Sequence, residues 1–159
     1  MRRATSDSVF WDRYVAQLPA DHRHRSIKPD AFAFGGSGSL ADELAQLVLS
    51  GRKRATTSLA VEFTSMNEAL PRVGDVSIIL DGGHKPVAII ERTAVETLPF
   101  ESVVASYAAV EGEGDGSLTY WRSAHIEYFE GVCRKLGGSF TSKTPVICQR
   151  FRLVWPANP

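Results

Sequence analysis

Gly51-Arg52-Lys53-Arg54-Ala55-Thr56-Thr57-Ser58 places three consecutive cations just ahead of three consecutive hydroxyls. Upstream, Leu40, Leu44, Leu47 and Val48 recur at helical spacing, which predicts a helix over 40–49 with Ser39 as N-cap and Asp42 and Glu43 in its first turn. Gly51 then falls one residue past the helix end, where a left-handed conformation costs glycine little. From Leu59 onward the pattern turns to strands. The stretch is therefore a junction from helix to sheet that carries a potential base, Lys53, three residues before a potential nucleophile, Thr56. In a helical or tight turn that spacing puts both side chains on one face, whereas a fully extended strand would point them apart.

On either side, the pattern gives an N-terminal helix over 8–18 that buries Phe10, Trp11, Tyr14, Val15 and Leu18 and stops at Pro19. Asp21 to Pro29 reads as a polar loop, its basic residues either a solvated surface or a binding patch. Downstream lie a strand over 76–80, a hairpin loop over 81–86, a returning strand over 87–95, and a last strand over 146–155. Between them sit the Gly-rich acidic segment 111–116 and a helix over 117–129, with Asp115 or Ser117 as its N-cap. Strands with helices inserted between them predict an α+β fold, with a curved antiparallel sheet or small barrel and helices around it.

At 159 residues the chain is long enough for one domain with a full core. Its formal net charge of zero argues against a surface coated in cations for indiscriminate nucleic-acid binding, though not against a local basic groove. Cys133 and Cys148 form no metal-spaced pair and read as reduced thiols. No apolar run approaches the length of a membrane span, and Met1 to Asp7 lacks the apolar core of a signal peptide. The expectation is a cytoplasmic protein with no membrane partner.

Taken together, the motifs resemble the ASCH family (activating signal cointegrator homology) of the PUA-like superfamily. The matching residues are Phe34-Gly35, Asp42-Glu43-Leu44 and the Gly51–Ser58 junction, then Val73-Gly74-Asp75, Pro86 with its strand, and Phe100. The most specific piece is Glu111-Gly112-Glu113-Gly114-Asp115-Gly116-Ser117-Leu118 with Tyr120-Trp121-Arg122 and His125, and Phe151 closes the pattern. The resemblance spans 32–155. It implies that residues 31–159 are the ASCH domain; residues 1–30, an N-terminal helix and loop extra to the shorter family members, are expected to pack on the same domain. It also implies a small PUA-like β-barrel with helices around it and a cleft for RNA or nucleosides.

Two activities come with the family: amidohydrolysis of N4-acylated cytosine nucleosides such as N4-acetylcytidine, and ribonuclease action on single-stranded RNA. A non-catalytic RNA-binding module is the third alternative. On the first reading the hydrolase is metal-independent and needs no cofactor, with Lys53 as base and Thr56 as nucleophile. Glu113 is the acid or orienting group, and Glu111 competes for that role. Lysine at about pKa 10.4 would need lowering to act as a base; burial and the charges of Arg52 and Arg54 would lower it, and a carboxylate would oppose them. The substrate-binding candidates are Arg52, Arg54, Thr57, Ser58, Glu111, Tyr120 and Trp121. The two aromatics could stack on a base, although Tyr120, Trp121, His125, Tyr128 and Phe129 also read as a core-facing stripe. Glu111, Glu113 and Asp115 lack the order of a calcium loop.

Overall fold

The computed structural model describes residues 5–156; Met1 to Ala4, part of the stretch read as lacking a leader, and the last three residues lie outside them. The described elements are α1 (Ser6–Val15), a 3-10 turn (Arg23–Ser26), β1 (Asp30–Phe32), α2 (Gly38–Leu49), β2 (Ala55–Leu59), α3 (Ala60–Ser65), β3 (Val76–Leu80), β4 (Pro86–Pro99), a second 3-10 turn (Phe100–Ser102), α4 (Ala105–Glu111), α5 (Leu118–Lys135) and β5 (Pro145–Trp155). The strands follow the order β1-β3-β4-β5-β2 in a mixed α+β fold. Among the described residues no helix is long and apolar enough to cross a membrane.

The chain divides into two compact units. The first holds the described residues up to Gly51, Gly74–Glu91, and the chain from Arg152. Here β1 runs parallel to β3, and β3 runs antiparallel to the start of β4. α2 begins two residues earlier than its leucines suggest, with Ser37 rather than Ser39 at the N-cap. Its buried stripe is Ala41, Leu44, Ala45 and Val48, while Leu40 is exposed. Asp42 consequently lies beyond the first turn and accepts the Gly82 N–H at 2.7 Å. Gly51 takes φ +81°, the left-handed residue beyond the helix end that the sequence requires. α1 packs Trp11 and Tyr14 against Val76, Ile78 and Ile89.

The basic run before β1 keeps Arg23, Arg25 and Lys28 exposed, but the two arginines and His24 are tied to the fold. Arg25 donates to the Pro19 and Leu18 carbonyls at 2.8 and 2.6 Å. Arg23 bonds Glu91 at 2.6 Å and the Gly74 carbonyl at 2.8 Å. His24 is buried, with Tyr14 OH 2.7 Å from Nδ1 and Glu91 3.3 Å from Nε2. Arg152 reaches the other Glu91 oxygen at 2.5 Å. One carboxylate thus gathers three basic side chains and fastens the N-terminal segment to β4.

The second unit comprises Arg52–Val73 and Arg92–Phe151. β2 pairs antiparallel with β5, so that Thr56 faces Gln149 and Thr57 faces Cys148. The strand begins at Ala55, earlier than expected, and Ala60–Ser65 is helical because the Glu62 carboxylate accepts the Leu59 N–H at 2.8 Å. Its core is built from Ala55, Leu59, Phe100, Val103, Tyr107, Trp121, Phe129, Val146 and their neighbours. α5 starts where the sequence places it, Ser117 Oγ accepting the Tyr120 N–H at 3.1 Å, but runs six residues beyond Phe129.

Replacing Glu91 with alanine removes the shared acceptor of Arg23, His24 and Arg152. The expected result is a loss of about 1–3 kcal/mol, read as a lower urea midpoint with unchanged slope.

Candidate active site

α4 carries the site. It ends at Glu111, followed by Gly112 at φ +75°. A Cβ on Gly112 would lie 2.2 Å from the Arg52 carbonyl oxygen, so only glycine lets the two segments approach. The Arg54 N–H donates to the Val110 carbonyl at 2.8 Å, and the Phe151 N–H donates to the Arg54 carbonyl at 2.9 Å. Clamped between the end of α4 and β5, the 52–54 segment turns Lys53 inward until the residue is 1% exposed.

The buried Lys53 amine donates to the Ala55 carbonyl at 2.8 Å and to Glu113 Oε1 at 2.9 Å, and lies 3.8 Å from Glu111 Oε1. Glu111 is wholly enclosed. Its Oε2 accepts from Thr57 Oγ1 at 2.9 Å and from the Trp121 indole N–H at 2.5 Å, and its Oε1 lies 3.1 Å from His125 Nε2. Tyr107 OH donates to the Thr56 carbonyl at 2.7 Å and lies 3.0 Å from the Thr57 hydroxyl. The Glu113 side chain remains 24% exposed, so this carboxylate forms the open edge of the cluster.

Burial drives the Glu111 carboxyl upward, but the His125 hydrogen bond, the Lys53 charge and the Trp121 donor outweigh it and hold Glu111 below the usual carboxylate range. His125 mirrors it: burial lowers the imidazole, and the bond to Glu111 with that group's charge raises it above the ordinary histidine value. Burial also pushes the Cys148 thiol up to about 11, which suits an inert side chain; Cys133 and Cys148 are both free and buried.

Several expected site residues are placed differently. Thr56 does not share a face with Lys53: β2 alternates, burying Ala55, Thr57 and Leu59 while Thr56 and Ser58 take the other face. The hydroxyl beside the Lys53–Glu111 cluster is therefore that of Thr57. Trp121 has no face for a base, being stacked on His125 at 4.2 Å and on Phe100 at 5.3 Å. Tyr120 is exposed and lies over Gly114, where a Cβ would come within 2.3 Å of its ring. Arg52 is exposed and Arg54 half-buried. Tyr107 was missed, yet it stands four residues before Glu111 in an alanine-rich stretch closed by glycine, the signature of a short helix.

Glu111, Glu113 and His125 bring one ligand atom each within 4.8 Å of one another, a donor set that suits a metal ion. The Lys53 amine, at 2.9 and 3.8 Å from the two carboxylates, already stands where such a cation would be held. Asp115 takes no part and accepts the Ser117 N–H at 2.8 Å. Tyr107 also borders a cavity of about 190 Å³ with Glu96, Val103, Cys148 and Arg150, and neither Lys53 nor Glu113 lines it.

An ASCH domain family model matches residues 30–155, and the chain belongs to that family. It is similar to the ASCH domain from Lactobacillus crispatus JV V101, at 30% identity and a TM-score of 0.88 over 94% of each chain. It is likewise similar to a protein from Enterococcus faecalis V583, at 35% identity and a TM-score of 0.83 over 94% of this chain and 88% of that one. None of the curated proteins matches the chain.

Glu111→Gln leaves Lys53 and His125 short of a buried anion and is expected to cost on the order of 3 kcal/mol at neutral pH. Because folding lowers the Glu111 pKa, its contribution is present above the unfolded value near 4.5 and is lost as pH falls through the depressed folded value. Urea titrations of the two proteins should therefore converge in acid. Gly112→Ala should cost about 1–2 kcal/mol from the left-handed backbone alone, and more from the clash with Arg52, read as a fall in melting temperature.

Proposed function

We propose that the protein is a metal-independent hydrolase that removes acyl groups from N4-acylated cytosine nucleosides such as N4-acetylcytidine. The observation that carries this reading is the Lys53–Glu113 pair, a buried amine bonded at 2.9 Å to a carboxylate that reaches the surface. Family membership is compatible with a hydrolase or with RNA binding, and the pair supplies what amide cleavage needs.

The geometry favours a division of labour opposite to that expected from the sequence. Lys53 is engaged as a donor to two oxygens, which suits it to stabilise a developing oxyanion rather than to remove a proton. Glu113 is the accessible base. In the proposed reaction the attacking O–H gives its proton to Glu113 as its oxygen bonds to the acyl carbon. The carbonyl electron pair moves onto oxygen beside the Lys53 amine. The tetrahedral adduct collapses, the C–N4 bond breaks, and Glu113 returns the proton to the leaving amine. The attacking oxygen comes from water, since Thr56 takes the face of β2 away from Lys53. Thr56→Ala should therefore retain turnover, and its abolition would mark the threonine as the attacking group.

Ribonuclease chemistry by His125 has less support, because both of its ring nitrogens face internal acceptors. The exposed Arg52 supports RNA contact beside the site.

Wild type incubated with N4-acetylcytidine is expected to release cytidine, followed by absorbance. Glu113→Gln and Lys53→Ala should each lower kcat/KM at least 100-fold, in line with the loss of a general base or an oxyanion donor. Absence of turnover by wild type, together with salt-sensitive binding or cleavage of single-stranded RNA, would replace this reading with the RNA one.

A further inference from the structure

We propose that His125 is a buried imidazolium that fixes Glu111 as an anion and so holds the Lys53 amine in register with Glu113. The positioning role rests on the hydrolase reading above; the charge state of the ring does not.

His125 Nδ1 lies 2.7 Å from the Trp121 carbonyl oxygen, one helical turn back along α5, and Nε2 lies 3.1 Å from Glu111 Oε1. A carbonyl oxygen only accepts, so Nδ1 must carry a hydrogen. A neutral ring would then turn the Nε2 lone pair toward a carboxylate oxygen. A Glu111 carboxyl that became the donor through Oε1 would forfeit the attraction of the Lys53 ammonium 3.8 Å away, while Oε2 already accepts from the Thr57 hydroxyl and the Trp121 indole N–H. A ring protonated on both nitrogens satisfies every hydrogen bond and keeps that attraction.

Each neighbouring element agrees with that charge. α4 presents Glu111, and the loop before α5 presents Glu113, whose charge also favours the imidazolium. The 52–54 segment contributes the opposing cation, Lys53, 3.8 Å from the same Glu111 oxygen. α5 itself supplies Trp121, stacked at 4.2 Å, and Phe129 at 5.5 Å. The four charged groups alternate in sign: His125, Glu111, Lys53, Glu113. Burial opposes the charge, and the two anions outweigh it.

The consequence is positional. With His125 charged, Glu111 has its donors and the Lys53 amine rests 3.8 Å away, while its hydrogen bond goes to Glu113. Once His125 loses its proton, Oε1 of Glu111 loses its nearest donor and draws the amine toward itself, away from the catalytic carboxylate. His125 never touches substrate; it acts through Glu111 and Lys53.

Two measurements test this. In wild type, the ring nitrogen and Cε1 resonances of His125, assigned by their disappearance in His125→Gln, should titrate with a midpoint above the ordinary histidine value of about 6.5. A midpoint at or below that value, or a neutral tautomer at pH 6, overturns the proposal whether or not the protein hydrolyses anything. In folded His125→Gln, which keeps one donor but no charge, the Lys53 Nζ resonance should move. The kcat for N4-acetylcytidine should fall about tenfold at pH 6 with KM little changed, and the alkaline fall in kcat expected of wild type should be absent. An unmoved Lys53 resonance with the wild-type pH profile retained overturns the positioning role. If wild type proves inactive on acylated cytidine, the two sets of resonances still decide the proposal.

Discussion

Enclosing the amine of Lys53 is the constraint on which the second unit is built. A buried ammonium is costly unless matched by opposite charge and by hydrogen bonds. Here the match consists of the Glu113 carboxylate, the Ala55 carbonyl and the nearby Glu111. Meeting those terms fixes much else. α4 must end where its last residue reaches the amine, Gly112 must lack a side chain so that the Arg52 carbonyl can approach, and α5 must carry Trp121 and His125 on the face that closes over Glu111.

The two glutamates lie two residues apart in sequence and in different environments. Glu111 is the last residue of a helix and has every oxygen engaged; Glu113 follows a left-handed glycine and reaches the surface. Environment rather than residue type separates anchor from reactive group, the usual way one pair of carboxylates is given two tasks. The proposed hydrolase needs both: an enclosed anion that keeps the lysine in place, and an accessible one able to take and return a proton.

Much of this was legible in the sequence because single residues announce it. Gly51 and Ser117 mark a helix end and a helix start, the hairpin loop after Leu80 is a cluster of turn residues, and β3 and β5 are runs rich in β-branched residues. What was not legible depended on phase. Placing the start of β2 at Ala55 decides that Thr57, and not Thr56, looks toward Lys53, and a shift of one residue reverses the answer. In α2 the large leucines suggested a stripe through Leu40, whereas the small Ala41 and Ala45 face the core because close packing favours them. The residues around Glu111 were known as candidates, but their roles depended on burial. A tryptophan held between Phe100 and His125 reads in sequence just like one free to stack on a base. The basic run at 22–25 likewise gave no sign that Glu91, distant in sequence, would take up its cations.

The measurement closest to the central claim is a crystal structure of the protein with cytidine bound. The exocyclic amine of the base should lie within about 3 Å of the Glu113 carboxylate, with the Lys53 amine still enclosed beside it. Cytidine seated elsewhere, with Glu113 and Lys53 making no contact to the base, would contradict it.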